Sequence, residues 1–441
     1  MNNKILNKLI EAGYESYLVG GCVRDQLLDR PVFDIDITTI ARPDEIKEVF
    51  NDFKTIDIGA RFGTIKVLDG ADEYEITTFR KESGYADKRH PEKIVYADDI
   101  YEDLKRRDFT INALAAVNDE IIDPFDGQAD LMAKIIRAVG NPDDRIEEDM
   151  LRALRAVRFA TTLDFEIESN LKEAIKANAS SIVDISKERI QIEINKILLA
   201  DKPARGIRLL QEVGLLAYIF PEVHRTIDFD QHSTFHPDDL YNHTLSVVDN
   251  SPDELEVRMA ALYHDVGKVD TFFLDENGEG RFFGHQSLSE ELAITRLKDL
   301  KYPNKFIEDT AVLIKRHMDN TNTYTKKSIR KLLRNIGEEN LLKLFKLQEA
   351  DVLSTSHKDT SNIDLGREIL AEVKADNIPK GRSEIKINGN DLKKLGFSEG
   401  KELGRALKII EEMIYDEKLI NNRKEIISFV KTELLNVDTD K

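Results

Sequence analysis

Residues 17–39 read YLVGGCVRDQLLDRPVFDIDITT, and the fold is decided there. SYLV is a short β-type run that stops at Gly20-Gly21, VRDQLLD is helix-forming, and VFDIDITT alternates apolar and polar residues. Strand, glycine turn, helix and strand in succession predict an α/β head. In the second strand Asp34 and Asp36 are two apart, so both face one side while Ile35 and Ile37 face the other. Two neighbouring carboxylates repel each other and make poor core residues. They suit a hard cation, since magnesium is usually held by one or two carboxylates together with substrate phosphates. Acids on one strand face are common alone; the glycine turn upstream makes this pattern specific. Glycines between a strand and a helix let backbone amides approach a phosphate at the positive helix end. Arg24 can then reach a triphosphate or a ribose, whereas Cys22 reads as a small packed residue without chemistry.

Working outward, GTIKVL and YEITTF are two more strands joined by a turn at Asp69-Gly70. Glu75 sits in the second of them, with Tyr74 and Ile76 facing the other way. Three carboxylates on adjacent strands can hold two metal ions about 4 Å apart, as in-line phosphoryl transfer uses them. Further on, EDLKRRDFTINALA puts Arg107 and Asp108 at the start of a helical pattern. A guanidinium there can neutralise charge on a transferred phosphoryl group, or simply form a helix-flanking ion pair.

The chain has 441 residues, 41% hydrophobic and 33% charged, which predicts several globular domains. No apolar run is long enough for a bilayer, and the polar start MNNKILNKLIEAGYESYL does not read as a signal peptide. A single cysteine excludes an intramolecular disulfide and a Cys-rich zinc site; the cytoplasm is the expected location. The net charge of −19 argues against a nucleic-acid partner, but it does not describe any one face. Basic clusters stand out at Lys105-Arg106-Arg107, at Arg152/Arg155/Arg158, and at Lys326-Lys327 with Arg330, Lys331 and Arg334. From about Pro142 the pattern becomes almost wholly helical, with breaks near Gly140, near Pro221 and around Ser354–Asn362. The expected division is a head at 1–140, a helical neck at 141–225, a third domain at 226–360 and a helical tail at 361–441.

Four runs occur in order over about the first 220 residues: LVGGCVRD…FDIDITT, EDLKRRDFTINALA, IIDPFDG…IIRAVG and EEDMLRALRAVRFA. Together they resemble the class II tRNA nucleotidyltransferases, which add CCA, and the closely similar bacterial poly(A) polymerases. The resemblance implies a polymerase-β-like mixed sheet in the head. It implies Asp34 and Asp36 as ligands of magnesium, Glu75 as the third active-site carboxylate, and Gly21, Arg24 and Arg107 as nucleotide-binding residues. The implied reaction is template-independent addition of C, C and A from CTP and ATP to a tRNA 3′ end, with release of pyrophosphate.

In EEDMLRALRAVRFA, Asp149, Arg152, Arg155 and Arg158 recur every three residues. On one helix each such step turns 300°, so the four side chains drift across half its surface over roughly 13 Å. Leu151, Leu154 and Val157 then pack. Such a pattern also fits a solvent helix with i,i+3 acid–base pairs. The family resemblance assigns these positions to nucleotide selection, and the chemistry suits that role. Cytosine and adenine offer an amino donor beside a ring-nitrogen acceptor, whereas uracil and guanine present a carbonyl beside an N–H. An accepting Asp149 and a donating Arg152 match the first pair and leave groups unpaired with the second. Arg155 and Arg158 are assigned either to the phosphates or to helix packing.

A second constellation follows: His243 in YNHTL, His264-Asp265 in ALYHDVGK, His285 in FGHQSLSEE, His317 in IKRHMD and Asp351 in QEADVLS. It resembles the HD phosphohydrolase domain, implying His243, His264, Asp265 and Asp351 as ligands of a transition metal such as manganese, nickel or zinc. His90, His224, His232 and His236 lack such a context. The segment SEIKINGNDLKKLGFSEGKELGRALKIIEEM resembles the carboxy-terminal part of CCA-adding enzymes, which implies contact with the tRNA body.

Three alternatives remain at this stage. A poly(A) polymerase is disfavoured because the sequence ends LLNVDTDK, without a long basic tail. A partial enzyme adding only CC or only A is the second; the CC-only form is disfavoured because the loop FRKESGYADKRHPEKI, which such members lack in functional form, is present. The third alternative is an HD phosphohydrolase whose head binds nucleotide without transferring it. The complete Asp34/Asp36/Glu75 set argues against that.

Overall fold

Residues 3–32, 34–59, 63–81, 95–232, 239–375, 384–415 and 418–435 are described, in a computed structural model of the chain. The chain divides into two compact units, Met1–His224 with Asp299–Lys301, and Arg225–Lys298 with Tyr302–Lys441. Residues 82–94 of the loop discussed above, His90 among them, lie outside the described residues, as do His236 and residues 436–441.

Among the described residues the first unit holds eleven strands, the first nine being β1 (Ser16–Val19), β2 (Ile35–Thr39), β3 (Lys54–Gly59), β4 (Thr64–Asp69), β5 (Asp72–Thr78), β6 (Arg80–Lys81), β7 (Val95–Tyr96), β8 (Ala115–Val117) and β9 (Glu120–Ile122). Seven form one sheet in the order β3-β4-β5-β2-β1-β8-β9, while β6 and β7 pair separately. Within the large sheet the β2–β5 pairing is parallel and the others are antiparallel, giving the mixed sheet that was expected. Alternation sets its faces. Ile37, Ile65, Val67, Tyr74 and Ile76 are buried, so the residues between them on each strand point the other way. Gly20 has φ +72° and ψ −128°, a backbone state that L side chains rarely adopt, and it lets β1 turn directly into the helix Gly21–Leu27.

Two local expectations are corrected. Arg107 and Asp108 do not begin a helix. They follow the helix Ile100–Lys105, and the chain continues as an isolated bridge, Phe109 to Ala138, and a 3₁₀ turn at Thr110–Asn112. Phe109, Ile111, Ala113 and Leu114 are buried in that tight turn, and their close spacing imitates a helical period in sequence. Likewise EEDMLRALRAVRFA is not one helix. One helix covers Pro142–Glu148, Asp149 is extended (φ −153°, ψ 102°), and a new helix runs Leu151–Leu163. Asp149 ends the first helix and accepts from the backbone N–H of Leu151 at 3.0 Å, so it sits at the break ahead of the second helix, whose N-cap is Met150, instead of riding on its surface. The 300° step therefore applies to Arg152, Arg155 and Arg158 only.

The region after Pro142 is not purely helical either. β10 (Ile135–Ile136) and β11 (Glu166–Ile167) form a parallel pair. Two residues are too few for a strand period to show in sequence. Helices at Ser169–Asn178, Lys187–Leu198 and Pro203–Glu212 follow, the second packing against Leu151–Leu163, and two short ones, Leu216–Ile219 and Pro221–His224, come after them in this unit.

The second unit is helical apart from the hairpin of β12 (Phe273–Leu274) and β13 (Gly280–Arg281). Helices Leu240–Asn250, Leu255–Tyr263, Asn304–Arg316 and Lys326–Leu353 pack together, the last kinked at Gly337 (φ +78°, ψ 170°). Leu392, Ile410, Ile426 and Val430 form a separate small core near the carboxy terminus. Among the described residues, no helix is long and apolar enough to cross a membrane.

Candidate active site

The parallel register of β2 and β5 sets Asp36 opposite Glu75, and the antiparallel register of β4 sets Lys66 beside Glu75. Asp34 lies one residue ahead of β2. All three acids face a cleft of about 1030 Å³, which Gly21, Arg24, Arg107, Asp149, Arg152, Arg155 and Arg158 also line. Burial raises the Asp36 carboxyl above its usual range; Arg107 opposes this, and the charges of Glu75 and Asp34 add to it. Lys66 holds Glu73 at 2.7 Å and Glu75 at 3.6 Å. Cys22 is buried with Sγ 3.2 Å from the Val19 carbonyl, a packed position.

The arginines differ in how fully they are engaged. Arg24 spans Asp25 with two bonds of 2.9 Å and donates to Asn112 Oδ1 at 2.6 Å, so each of its three nitrogens holds a partner. Arg107 makes only long contacts, 3.4 Å to the Asn112 carbonyl and 3.4 Å to Asp103, and its buried Nε has no hydrogen bond. Of these two, Arg107 is the more loosely held. Arg152 donates to the Arg145 carbonyl at 3.0 Å and pairs with Glu148. Arg155 holds Asp108 at 2.7 Å through Nε, and Arg158 holds Glu193 at 2.6 Å with its guanidinium 3.8 Å from the Phe159 ring centre. Asp149 is gripped by both terminal nitrogens of Arg189, at 3.3 and 2.6 Å.

Asp108 is the most strongly perturbed of these acids. Burial penalises its charge, but Arg155, the amide of Asn112 and Arg152 outweigh the penalty and hold its pKa near about 2.

Sequence reading missed Arg189, Glu193 and Phe159. Arg189 and Glu193 stand four apart in KERIQIE, on one helix face, and answer the opposite charges Asp149 and Arg158. That pairing of complementary charges between two segments was visible, but only the fold shows which face meets which.

In the second unit the helix Leu240–Asn250 supplies His243, the end of Leu255–Tyr263 supplies His264 and Asp265, and Lys326–Leu353 supplies Asp351. They converge: His243 Nε2 lies 3.2 Å from Asp351 Oδ1, and His264 Nε2 lies 3.2 Å from Asp265 Oδ2. His285 and His317, quoted above but not assigned as ligands, join the same buried cluster. Burial pushes the His317 imidazole down toward neutrality, whereas at His264 the Asp265 charge overcomes the same burial and raises the pKa.

Residues 16–137 match the family described as Poly A polymerase head domain, residues 164–227 that described as probable RNA and SrmB- binding site of polymerase A, and residues 282–430 that described as tRNA nucleotidyltransferase domain 2, putative. The CCA-adding enzyme of Lactococcus lactis is 37% identical over 98% of this chain and 96% of its own length. That of Streptococcus thermophilus is 34% identical over 97% of this chain and 95% of its own. The fold is similar to the Bacillus stearothermophilus CCA-adding enzyme in complex with CTP, with a TM-score of 0.76 at 27% identity, covering 99% of this chain and 98% of that one. The Thermotoga maritima CCA-adding enzyme complexed with tRNA shares the fold at a TM-score of 0.59 and 21% identity, over 98% of this chain and 94% of that one. With relatives this similar along almost its whole length, the chain belongs to the family of CCA-adding enzymes, which are tRNA nucleotidyltransferases.

Proposed function

We propose that the cleft of the first unit is where this family member adds C, C and A to a tRNA 3′ end, with Asp34, Asp36 and Glu75 as its catalytic carboxylates. The observation that carries this is the pairing of Asp36 with Glu75 on the cleft face, where burial raises the Asp36 carboxyl and the charges of Glu75 and Asp34 add to it. Hard oxygen donors in this number fit a divalent cation, and we assign magnesium to Asp34 and Asp36. When bound, magnesium supplies neutralisation of charge on the transferred phosphoryl group. The terminal hydroxyl oxygen of the RNA forms a bond to the α-phosphorus of CTP or ATP, and pyrophosphate leaves. Arg107, loosely held at the glycine turn, faces the phosphates; Gly21 lets backbone approach them; Arg24 braces the turn against Asn112. Asp149 and Arg152 present an acceptor and a donor to the base, in place of a template. Arg155 and Arg158 stiffen the wall through Asp108 and Glu193. A cytoplasmic location follows from work on tRNA ends. For the domain division we retain head, neck, HD-like domain and tail as drawn from the sequence.

The direct test is incubation with tRNA lacking CCA, with its CC-ended form, and with each NTP singly. The expected result is C addition to the first with CTP, A addition to the second with ATP, and no addition with UTP or GTP. Long A tracts would identify a poly(A) polymerase instead.

A second reading is favoured by the buried histidine cluster. We assign His243, His264, Asp265 and Asp351 as ligands of one transition-metal ion, manganese, nickel or zinc, in a phosphohydrolase centre. Imidazole with carboxylate is the donor chemistry those metals prefer, and the backbone bond from His264 Nδ1 to the Ala261 carbonyl, 2.7 Å, fixes Nε2 as the inward atom.

A further inference from the structure

We propose that Phe159 is a positioning residue of the nucleotide cleft, a ring that holds three arginines by their faces and so fixes the spacing between the glycine turn and the helix Leu151–Leu163. The proposal rests on the reading of the cleft given above and deepens it. Phe159 lines the cleft and is only 5% exposed. The guanidinium carbons of Arg158, Arg24 and Arg155 stand 3.8, 4.9 and 5.4 Å from its ring centre. All three are within reach of a cation–π contact. Arg155 and Arg158 share the helix of Phe159, four residues and one residue ahead of it, whereas Arg24 comes from the helix Gly21–Leu27 that follows the glycine turn. One buried ring thus joins two elements far apart in sequence, which in the proposed site meet opposite ends of the nucleotide.

The chemistry explains why this residue is aromatic. Each guanidinium uses its edge on a polar partner: Arg24 on Asp25 and Asn112, Arg155 on Asp108, and Arg158 on Glu193. What remains is the planar face, which donates no hydrogen bond and which an aromatic face covers. Cations gathered this closely also repel one another. Burial pushes the Arg158 pKa down, Glu193 opposes this, and the neighbouring Arg155 charge adds to the lowering. A carboxylate in place of the ring would draw on the N–H edges and would bring another buried charge. The negative face of a phenyl ring answers the same positive charge without accepting a strong hydrogen bond and without a charge of its own to desolvate. Phe109, itself buried, meets the ring edge-on, with centroids 5.9 Å apart and planes at 84°, and holds its orientation. A nucleotide must find the turn that receives its phosphates and the helix that reads its base at one separation. Fixing that separation beforehand lowers the cost of binding. Weakening the ring should therefore weaken binding of CTP and ATP alike and leave the bond-forming step alone.

The test replaces Phe159 in the full chain by 4-fluoro-, 3,5-difluoro- and 3,4,5-trifluorophenylalanine, which strip electron density from the ring face with little change of shape. KM and kcat are measured for CTP on tRNA lacking CCA and for ATP on its CC-ended form, with circular dichroism confirming the fold. KM is expected to climb with each fluorine, reaching between about 2- and 30-fold at the last, the range that loss of a cation–π contact allows. The factor should be the same for CTP and ATP, with kcat within about twofold of wild type. Phe159→Leu should raise KM at least as far. A KM that stays flat along the fluorine series overturns the role of Phe159 whatever Phe159→Leu does, because packing alone is blind to the fluorines. A fall in kcat at constant KM overturns it as well, and in both cases the reading of the cleft stands. Failure of the wild-type protein to add C or A overturns that reading, and this role with it.

Discussion

Asp34 and Asp36, the proposed magnesium ligands, line the cleft and not the hydrophobic core, so replacing them opens no core cavity. Asp34→Ala or Asp36→Ala is expected to drop nucleotide incorporation to background while the unfolding midpoint stays near wild type; near-normal turnover with magnesium would place the metal elsewhere. Asp149→Ala removes the acceptor proposed above for the amino hydrogen of C or A. Leaving one buried bond unmade costs about 1–3 kcal/mol, so kcat/KM for CTP and ATP falls roughly 5- to 150-fold. The penalty against UTP and GTP shrinks at the same time, because their carbonyl no longer meets a carboxylate. Equal losses for all four nucleotides would return Asp149 to a purely structural role. At this scale the sequence was informative where chemistry is local. Acids two apart on a strand must share a face, and Asp36 and Glu75 do. It was silent where partners are distant: nothing near Asp149 in the chain announces Arg189, 40 positions away.

The helix Leu151–Leu163 is fastened to its surroundings by buried charge, and Asp108 is the clearest case. Its pKa is depressed to about 2, so its contribution is fully present above the unfolded value near 4 and is lost as pH falls through about 2. The shift corresponds to a stabilisation on the order of 2 kcal/mol at neutral pH. Asp108→Asn should therefore lower stability at pH 7 by at least that amount, since Arg155 is left unpaired. The gap to wild type should close between pH 4 and pH 2, which chemical denaturation across that range reads directly. The glycine turn gives a second expectation. A Cβ at Gly20 would stand 2.7 Å from Arg107 Nη1 on a backbone with φ +72°. Gly20→Ala should cost roughly 1–3 kcal/mol through strain and raise KM for nucleotides by displacing Arg107. An unchanged KM would separate that guanidinium from nucleotide binding. Elements with a full period, such as β2 and β5, were readable in advance. The break at Asp149 was not, because a cap and a surface acid look alike until the backbone turns.

The chain packs as two units, one with a mixed sheet and one almost wholly helical, and the two proposed chemistries fall one in each. His264→Ala should abolish any transition-metal-dependent hydrolysis of a 2′,3′-cyclic phosphate while leaving nucleotide addition within about twofold of wild type. Joint loss of both activities would show that the units depend on each other; absence of hydrolysis with manganese, nickel and zinc in wild type would leave the cluster a structural role. The mixed head and the helical remainder were both legible from hydrophobic period. Within the break read around Ser354–Asn362, residues 354–360 connect the helices Lys326–Leu353 and Ser361–Ala375.

Asp149 also has a valence. A carboxylate offers about four acceptor positions, and the Leu151 amide and the two Arg189 nitrogens fill three. One position is then left, and in the proposed base-reading role an incoming base takes it. Cytosine and adenine have one amino donor beside an acceptor and can dock there. Guanine brings two adjacent donors and would strand one of them. In that proposed role Arg189 acts as a stopper on the carboxylate, and selectivity against guanine would reside partly in an arginine that has no need to touch the nucleotide.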